Sequence, residues 1–439
     1  MELAIVSGLV IVFALTGRRL DRFNITPPMV FLAAGALVFG LFEKLDVDSG
    51  VVHLLAELAL VVVLFHDAST VQLRALRSDA GVPIRLLAIG FPLALVATLA
   101  VVVLMFPALG VAGALLLAAS VTPTDAGLGA PTVLNPSVPV RIRRALNVES
   151  GLNDGLATPI VLFALALLAA EEGGGSHSIM SLALIPAALA LLVAVVVGAV
   201  AAWAIDLSDR SHASSATSRS VALLAVPFLS FGIATAIGAN AFITAFVAGL
   251  VFGAMSKTNK TQPLTSQTLE IAADLLGYVV WFMAGGLLLL VLETQVKWQW
   301  VVAAVTILTL LRIVPVALSL LGVGFRPPTI AFIGWFGPRG LATIVFALMA
   351  VEELGTSNPA IPDYLGVVTF TVLLSVFAHG VSAGPLSARY ASWVARANPA
   401  AETAASVAPR ARSGATRHGE LGGRARQVGD CDTGGHAKG

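Results

Sequence analysis

Glu149-Ser150-Gly151-Leu152-Asn153-Asp154 puts two carboxylates, a hydroxyl and an amide into one short stretch. It sits in a hydrophobic segment running from about residue 145 to 170, long enough to cross a bilayer. An ionisable group at that depth costs several kcal/mol unless it is paired or used, so an intramembrane acid reads first as a functional group. Helical spacing divides the cluster. Ser150 and Asp154 are four residues apart and share one face, while Glu149 and Asn153 share the face about 100° round. Oxygen donors of this kind suit a small hard cation, and a carboxylate that binds a cation can bind a proton in its place.

The elements that must position these groups are membrane helices. Hydrophobic residues make up 57% of 439 and charged residues 12%, against about half and about a quarter in soluble domains. Apolar runs predict thirteen transmembrane helices, near 3–17, 27–42, 51–72, 83–106, 110–132, 145–170, 179–205, 219–236, 240–255, 270–292, 299–322, 328–350 and 363–387. Most approach the ~20 residues that a ~30 Å hydrocarbon core requires. Alternate loops carry fourteen lysines and arginines on one side and only Lys44 and Lys297 on the other. The positive-inside rule then puts the N-terminus outside and the C-terminus in the cytoplasm. Residues 1–394 therefore read as one transmembrane domain, and 395–439, poor in large apolar residues, as a disordered cytoplasmic tail. The single cysteine, Cys431, excludes an intrachain disulfide.

Two of the predicted helices are interrupted. The fifth contains Thr122-Pro123-Thr124-Asp125 followed by Gly127 and Gly129, and the twelfth contains Gly337-Pro338-Arg339-Gly340. Proline lacks the amide proton a helix needs and clashes with the preceding turn. Broken helices in transporters free carbonyls and helix ends to face ions in mid-membrane. Asp125 lies about 22 Å along its helix, well inside the core. The two breaks run in opposite directions seven helices apart. That is the pattern of inverted repeats, here helices one to six against eight to thirteen, with the discontinuous helices five and twelve crossing beside the substrate site.

Taken together, the Thr122–Asp125, Glu149–Asp154 and Gly337–Gly340 motifs resemble the monovalent cation:proton antiporter superfamily, of the NhaP and sodium–hydrogen exchanger type. The resemblance covers roughly residues 1–390. It implies a homodimer in which a transport domain moves as an elevator, exchanging Na+ or Li+ for protons. Residue by residue, Asp154 would bind cation and proton in competition, with Asp125, Ser150 and the Thr124 carbonyl completing the Na+ shell. Glu149 would pair with Arg339, with Asn153 bridging them. The residues themselves point the same way for that pair, because Arg339 is permanently charged and needs a carboxylate in mid-membrane. Asn153 before Asp154 is the family's pattern for electroneutral exchange. An acid near the end of the third helix often reaches the cation through water. Asp67 in Phe65-His66-Asp67 departs from the family's wording and is either that acid or an interfacial one.

Arg312, the other arginine within a predicted span, is expected to meet a helix-end carbonyl or to snorkel. No nucleotide-binding motif and no nucleophile–base constellation occurs, so the chain does not read as an enzyme, and it requires no cofactor or nucleic acid. Its partners are the cation, the proton and the bilayer, here the plasma membrane. An oxygen shell alone does not set cation size, so a K+/H+ exchanger on the same scaffold is the alternative. A cation channel is the alternative of a different class, although no filter motif is visible.

Overall fold

The computed structural model describes residues 2–21, 23–41, 49–71, 81–173, 184–258, 263–355 and 358–404, and among them there is no strand. Arg22, Lys44, Arg74, Arg77, Lys260 and the tail beyond residue 404 lie outside the described residues. The helices are α1 (Glu2–Asp21), α2 (Pro27–Leu41), α3 (Ser49–Thr70), α4 (Gly81–Met105), α5 (Gly110–Val121), α6 (Ala126–Val133), α7 (Val140–Gly173) and α8 (Ile185–Arg210). They continue as α9 (Ala216–Ala236), α10 (Ala241–Met255), α11 (Pro263–Glu293), α12 (Trp298–Ser319), α13 (Pro327–Trp335), α14 (Leu341–Leu354), α15 (Ile361–Ala397) and α16 (Ala400–Thr403). Helix forms in every predicted apolar segment. Among the described residues, eight stretches, with α5 and α6 taken as one, are long and apolar enough to cross a membrane. The protein is a multi-pass, all-helical membrane protein.

Helix ends follow local chemistry. Ser215 and Asn240 cap α9 and α10 by accepting from Ser218 N and Ile243 N, which satisfies amides that helix geometry leaves open. Outside the interrupted region, α2 packs on α11 and α3 on α10, and glycine sets both approaches. A Cβ on Gly35 would stand 1.9 Å from Phe282 O, and one on Gly285 would stand 2.3 Å from Leu32 O. On α10, Gly249 and Gly253 meet Phe65 O and Ser69 O in the same way. Main chain touches main chain at these places, as small residues allow between membrane helices.

The C-terminal end differs from the expectation. α15 continues to Ala397, ten residues past the predicted limit, and α16 follows it. Residues 395–404 are thus ordered where an unstructured tail was expected to begin. The reason is a stripe too narrow to register as an apolar run: Tyr390 and Val394 turn inward against Phe332 and Phe336. Glu402, 1% exposed, then accepts from Arg326 N and Thr329 Oγ1, both at 2.9 Å, and fastens α16 to the start of α13.

Candidate functional site

Between α5 and α6 the chain leaves the helix at Thr122, and Asp125 turns it back by capping α6. Asp125 Oδ1 accepts from Leu128 N at 2.7 Å, within its own half-helix. Its Oδ2 accepts from Leu341 N, also at 2.7 Å, at the start of α14. One carboxylate therefore closes the N-termini of both interrupted helices, where the partial positive charge of a helix gathers. The main chains cross at the same point, with Asp125 N donating to Pro338 O at 2.8 Å. Gly340 permits the approach, because a Cβ there would lie 2.2 Å from Asp125 Oδ2.

Arg339 is 1% exposed and serves the opposite ends. Its Nε donates to Val121 O, the last carbonyl of α5, at 2.7 Å, and its Nη1 donates to Gly337 O. Its backbone N–H donates to Ser375 Oγ at 2.6 Å. Ser375 Oγ lies 3.2 Å from His379 Nδ1, and His379 Nε2 is 2.9 Å from Trp335 O. His379 Nδ1 is also 2.9 Å from Ser375 O, so the ring bridges Ser375 and Trp335 O and braces both sides of the α13 break against α15.

The expected Glu149–Arg339 pair does not form. Arg312 Nη2 donates to Glu149 Oε2 at 2.8 Å and Arg312 Nη1 to Oε1, a buried two-pronged pair joining α12 to α7. The two arginines have exchanged the roles expected of them. The cause is the break itself: it strips carbonyls at Val121 and Gly337 of helical donors, and the arginine within the break is nearest to them. Arg312 lies against the same turn, since a Cβ on Gly337 would meet its Nε at 2.4 Å. Asn153 likewise bridges nothing between Glu149 and Arg339. Its Nδ2 donates to Thr124 Oγ1 at 2.7 Å, and Thr124 Oγ1 shares a hydrogen bond with Ser150 Oγ at 2.8 Å. Three of the sequence candidates are thus joined directly, one from the break and two from α7. Among the described residues the buried Asn153 Oδ1 has no hydrogen-bond partner, which leaves an oxygen acceptor one residue from Asp154.

Asp154 itself is buried at 7% exposure, on the α7 turn that follows Ser150. Gly151 and Gly155 flank it. The first faces the Asp67 main chain of α3, and the second faces the Phe246 ring of α10, so α7 runs close against both helices. Asp67 is 9% exposed, with Oδ1 3.0 Å from His66 Nδ1. Its main chain is beside the α7 polar turn, not at a free interface. Sequence reasoning missed Arg312 as the partner of Glu149 and missed the contacts to the break made by Ser375 and His379. The signal for the last two was present as a polar i, i+4 pair on one face of α15.

Interrupted helices crossing inside an all-helical membrane fold, with an acid at their helix ends, define the architecture of a secondary transporter. The chain belongs to the transmembrane sodium/hydrogen exchanger family, whose profile matches residues 8–389. A Na+/H+ antiporter of Schizosaccharomyces pombe is 27% identical over 312 residues, which are 63% of this chain and 65% of that protein. An uncharacterized Na+/H+ exchanger of Mycobacterium tuberculosis is 26% identical over 431 residues, 87% of this chain and 74% of its own. The chain spans 65% and 40% of the lengths of two fission-yeast relatives. Among solved structures, the sodium proton antiporter MjNhaP1 from Methanocaldococcus jannaschii shares the fold, with a TM-score of 0.67 at 19% identity. That match covers 89% of this chain and all of the other. The family is one of transporters and not an enzyme class.

Proposed function

We propose that the protein exchanges Na+ or Li+ for H+ across the plasma membrane, with Asp154 as the group for which cation and proton compete. The observation that carries this reading is the oxygen cluster at the crossing: Thr124, Ser150 and Asn153 joined by hydrogen bonds beside buried Asp154, with Asn153 Oδ1 left without a donor. Thr124, Ser150 and Asp125 complete the cation shell, Asp125 using lone pairs left over after its two caps, since an ionised carboxylate offers about four sites. Asp67, on α3 beside the same turn, reaches the cation through water. Sodium binding requires the ionised site and protonation expels it, so competition at one site produces obligatory exchange when only loaded sites cross.

Thirteen spans in two inverted repeats, an external N-terminus, a cytoplasmic tail, a homodimer and elevator movement of the transport domain belong to the same proposal. The convergence of α6 and α14 on Asp125 supports the crossing of the two repeats. Exchange is electroneutral, on the strength of Asn153 preceding Asp154.

Proteoliposomes holding a pH dye and given a sodium gradient test the proposal. Sodium-driven alkalinisation or acidification is expected, unchanged when valinomycin and potassium clamp the voltage. Apparent sodium affinity is expected to fall by up to tenfold for each unit of acidification, as one proton competes with one cation. A flux that responds to the clamp defeats electroneutrality. Response to potassium in place of sodium moves the assignment to K+/H+ exchange, and current without proton coupling moves it to a channel.

A further inference from the structure

Away from the crossing, α12, α13 and α15 enclose an open groove of about 530 Å³, within the range of small-molecule sites. Its walls are apolar and aromatic. Phe332 stacks on Tyr390 with centroids 4.2 Å apart, Tyr390 on Trp393 at 5.7 Å, and Trp335 is held by a 2.9 Å hydrogen bond to Ser382 Oγ. These walls are fixed by packing, so the groove is preformed.

Its rim carries two cations. Arg389 and Arg396 lie seven residues apart on one face of α15 and are both exposed. Arg396 is tethered only through Nε to Ser392 O, and Arg389 makes no hydrogen bond or ion pair among the described residues. Arg389 lies about 42 Å along the helix from Ile361, at ~1.5 Å per residue. A bilayer with its headgroups is about 40–45 Å thick, so the guanidinium stands at headgroup level with the apolar groove reaching inward from it.

We propose that this groove is a binding site for an anionic glycerophospholipid, its phosphate held by Arg389 and Arg396 and an acyl chain lying inward along Phe332 and Trp335. Charge selects the occupant. Two free arginines pair with a phosphate, in which arginine is the preferred partner. The chain's own residues 405–439 carry six lysines and arginines against three acids, and are repelled by the same rim.

The test uses the full chain in phosphatidylcholine vesicles containing equal fractions of brominated-chain phosphatidylglycerol or brominated-chain phosphatidylcholine. Bromine quenches tryptophan on contact. Subtracting the signal of W335F/W393F isolates the two groove residues from the other four tryptophans. Should that double variant fail to fold, W335F alone gives the same subtraction for the tryptophan on the acyl path. The expected result is an occupancy preference of about thirtyfold for the anionic lipid, the combined gain from two basic residues at an anionic headgroup. R389Q/R396Q is expected to reduce it to about onefold, and R389K/R396K to retain most of it. Equal quenching by the two lipids in the parent overturns the proposal, as does a preference that survives R389Q/R396Q. Quenching by neither lipid also overturns it, and assigns the groove to a second copy of the chain or to residues 405–439.

Discussion

The two interrupted helices meet at one place and are closed there by opposite chemistry. The break after α5 contributes an acid, and both Asp125 oxygens go to helix N-termini, one of them across the crossing on α14. The break after α13 contributes a base, and Arg339 reaches back across the crossing to the last carbonyl of α5. Each end receives the charge its dipole favours, and each break supplies part of what the other lacks. Neither break is self-sufficient. Glu149–Arg312 is a third closure of a different kind, side chain to side chain, and holds α7 against the turn where the other two occur.

On that contrast, Asp125 is expected to hold helix ends as well as to complete the proposed cation shell, while Asp154, which caps no described helix, is expected to be the group the exchange depends on. Its sharpest test is Asp154→Asn. Sodium-driven proton flux is expected to vanish while the purified protein remains folded and still unfolds cooperatively on heating. Retained flux would refute the division of labour. The next largest effect falls on the ion pair. Glu149→Ala or Arg312→Ala leaves a lone buried charge and is expected to cost about 3–5 kcal/mol in unfolding stability. The double variant E149A/R312A is expected to recover a substantial part of that loss, whereas E149A/R339A is not. Recovery in the second pair alone would restore the pairing first expected from sequence.

Asp125→Ala removes caps from two helices at once and is expected to cost about 2–4 kcal/mol, at about 1–2 each. Asp125→Asn keeps one carbonyl acceptor, and about half that loss is expected. Stability indifferent to either change, in the same unfolding assay, would break the claim of reciprocal closure. The smallest expected effect is Ser375→Ala, about 1 kcal/mol for one buried hydrogen bond and its neighbour. It is expected to speed amide exchange at Arg339 more than at Leu128, because it frees only the α13 side of the crossing.

Much of this was readable from residue types. Pro123 and Pro338 mark both breaks because the missing amide proton and the ring clash fall beside glycine or small polar residues, whereas Pro159 and Pro227 sit within continuous helices. The polar turn of α7 was equally plain against its apolar surroundings. The choice of partner was not. Helical spacing separates the Glu149 face from the Ser150 face, but it says nothing about which of two buried arginines lies opposite. That depended on the number of orphaned carbonyls at the break, a property of the crossing and not of any one helix. Asp125 was legible as an acid near the site, while its double cap needed Leu341, more than two hundred residues away, to be brought alongside. The extension of α15 escaped notice because Tyr390 and Val394 make a narrow buried stripe among arginines and serines, which composition averages away.

The glycine contacts between α2 and α11 have a consequence for how the molecule is put together. Gly35 fits only against Phe282 O and Gly285 only against Leu32 O. A shift of α2 by one residue, about 1.5 Å along its axis, would bring Ala34 or Ala36 to the place that admits no Cβ. Side chains in an ordinary interface can change rotamer to absorb such an offset, but a bare backbone has nothing to rearrange. The seam therefore acts as an alignment pin. Two helices far apart in the chain can dock at one height only, and whatever is built upon them inherits that height.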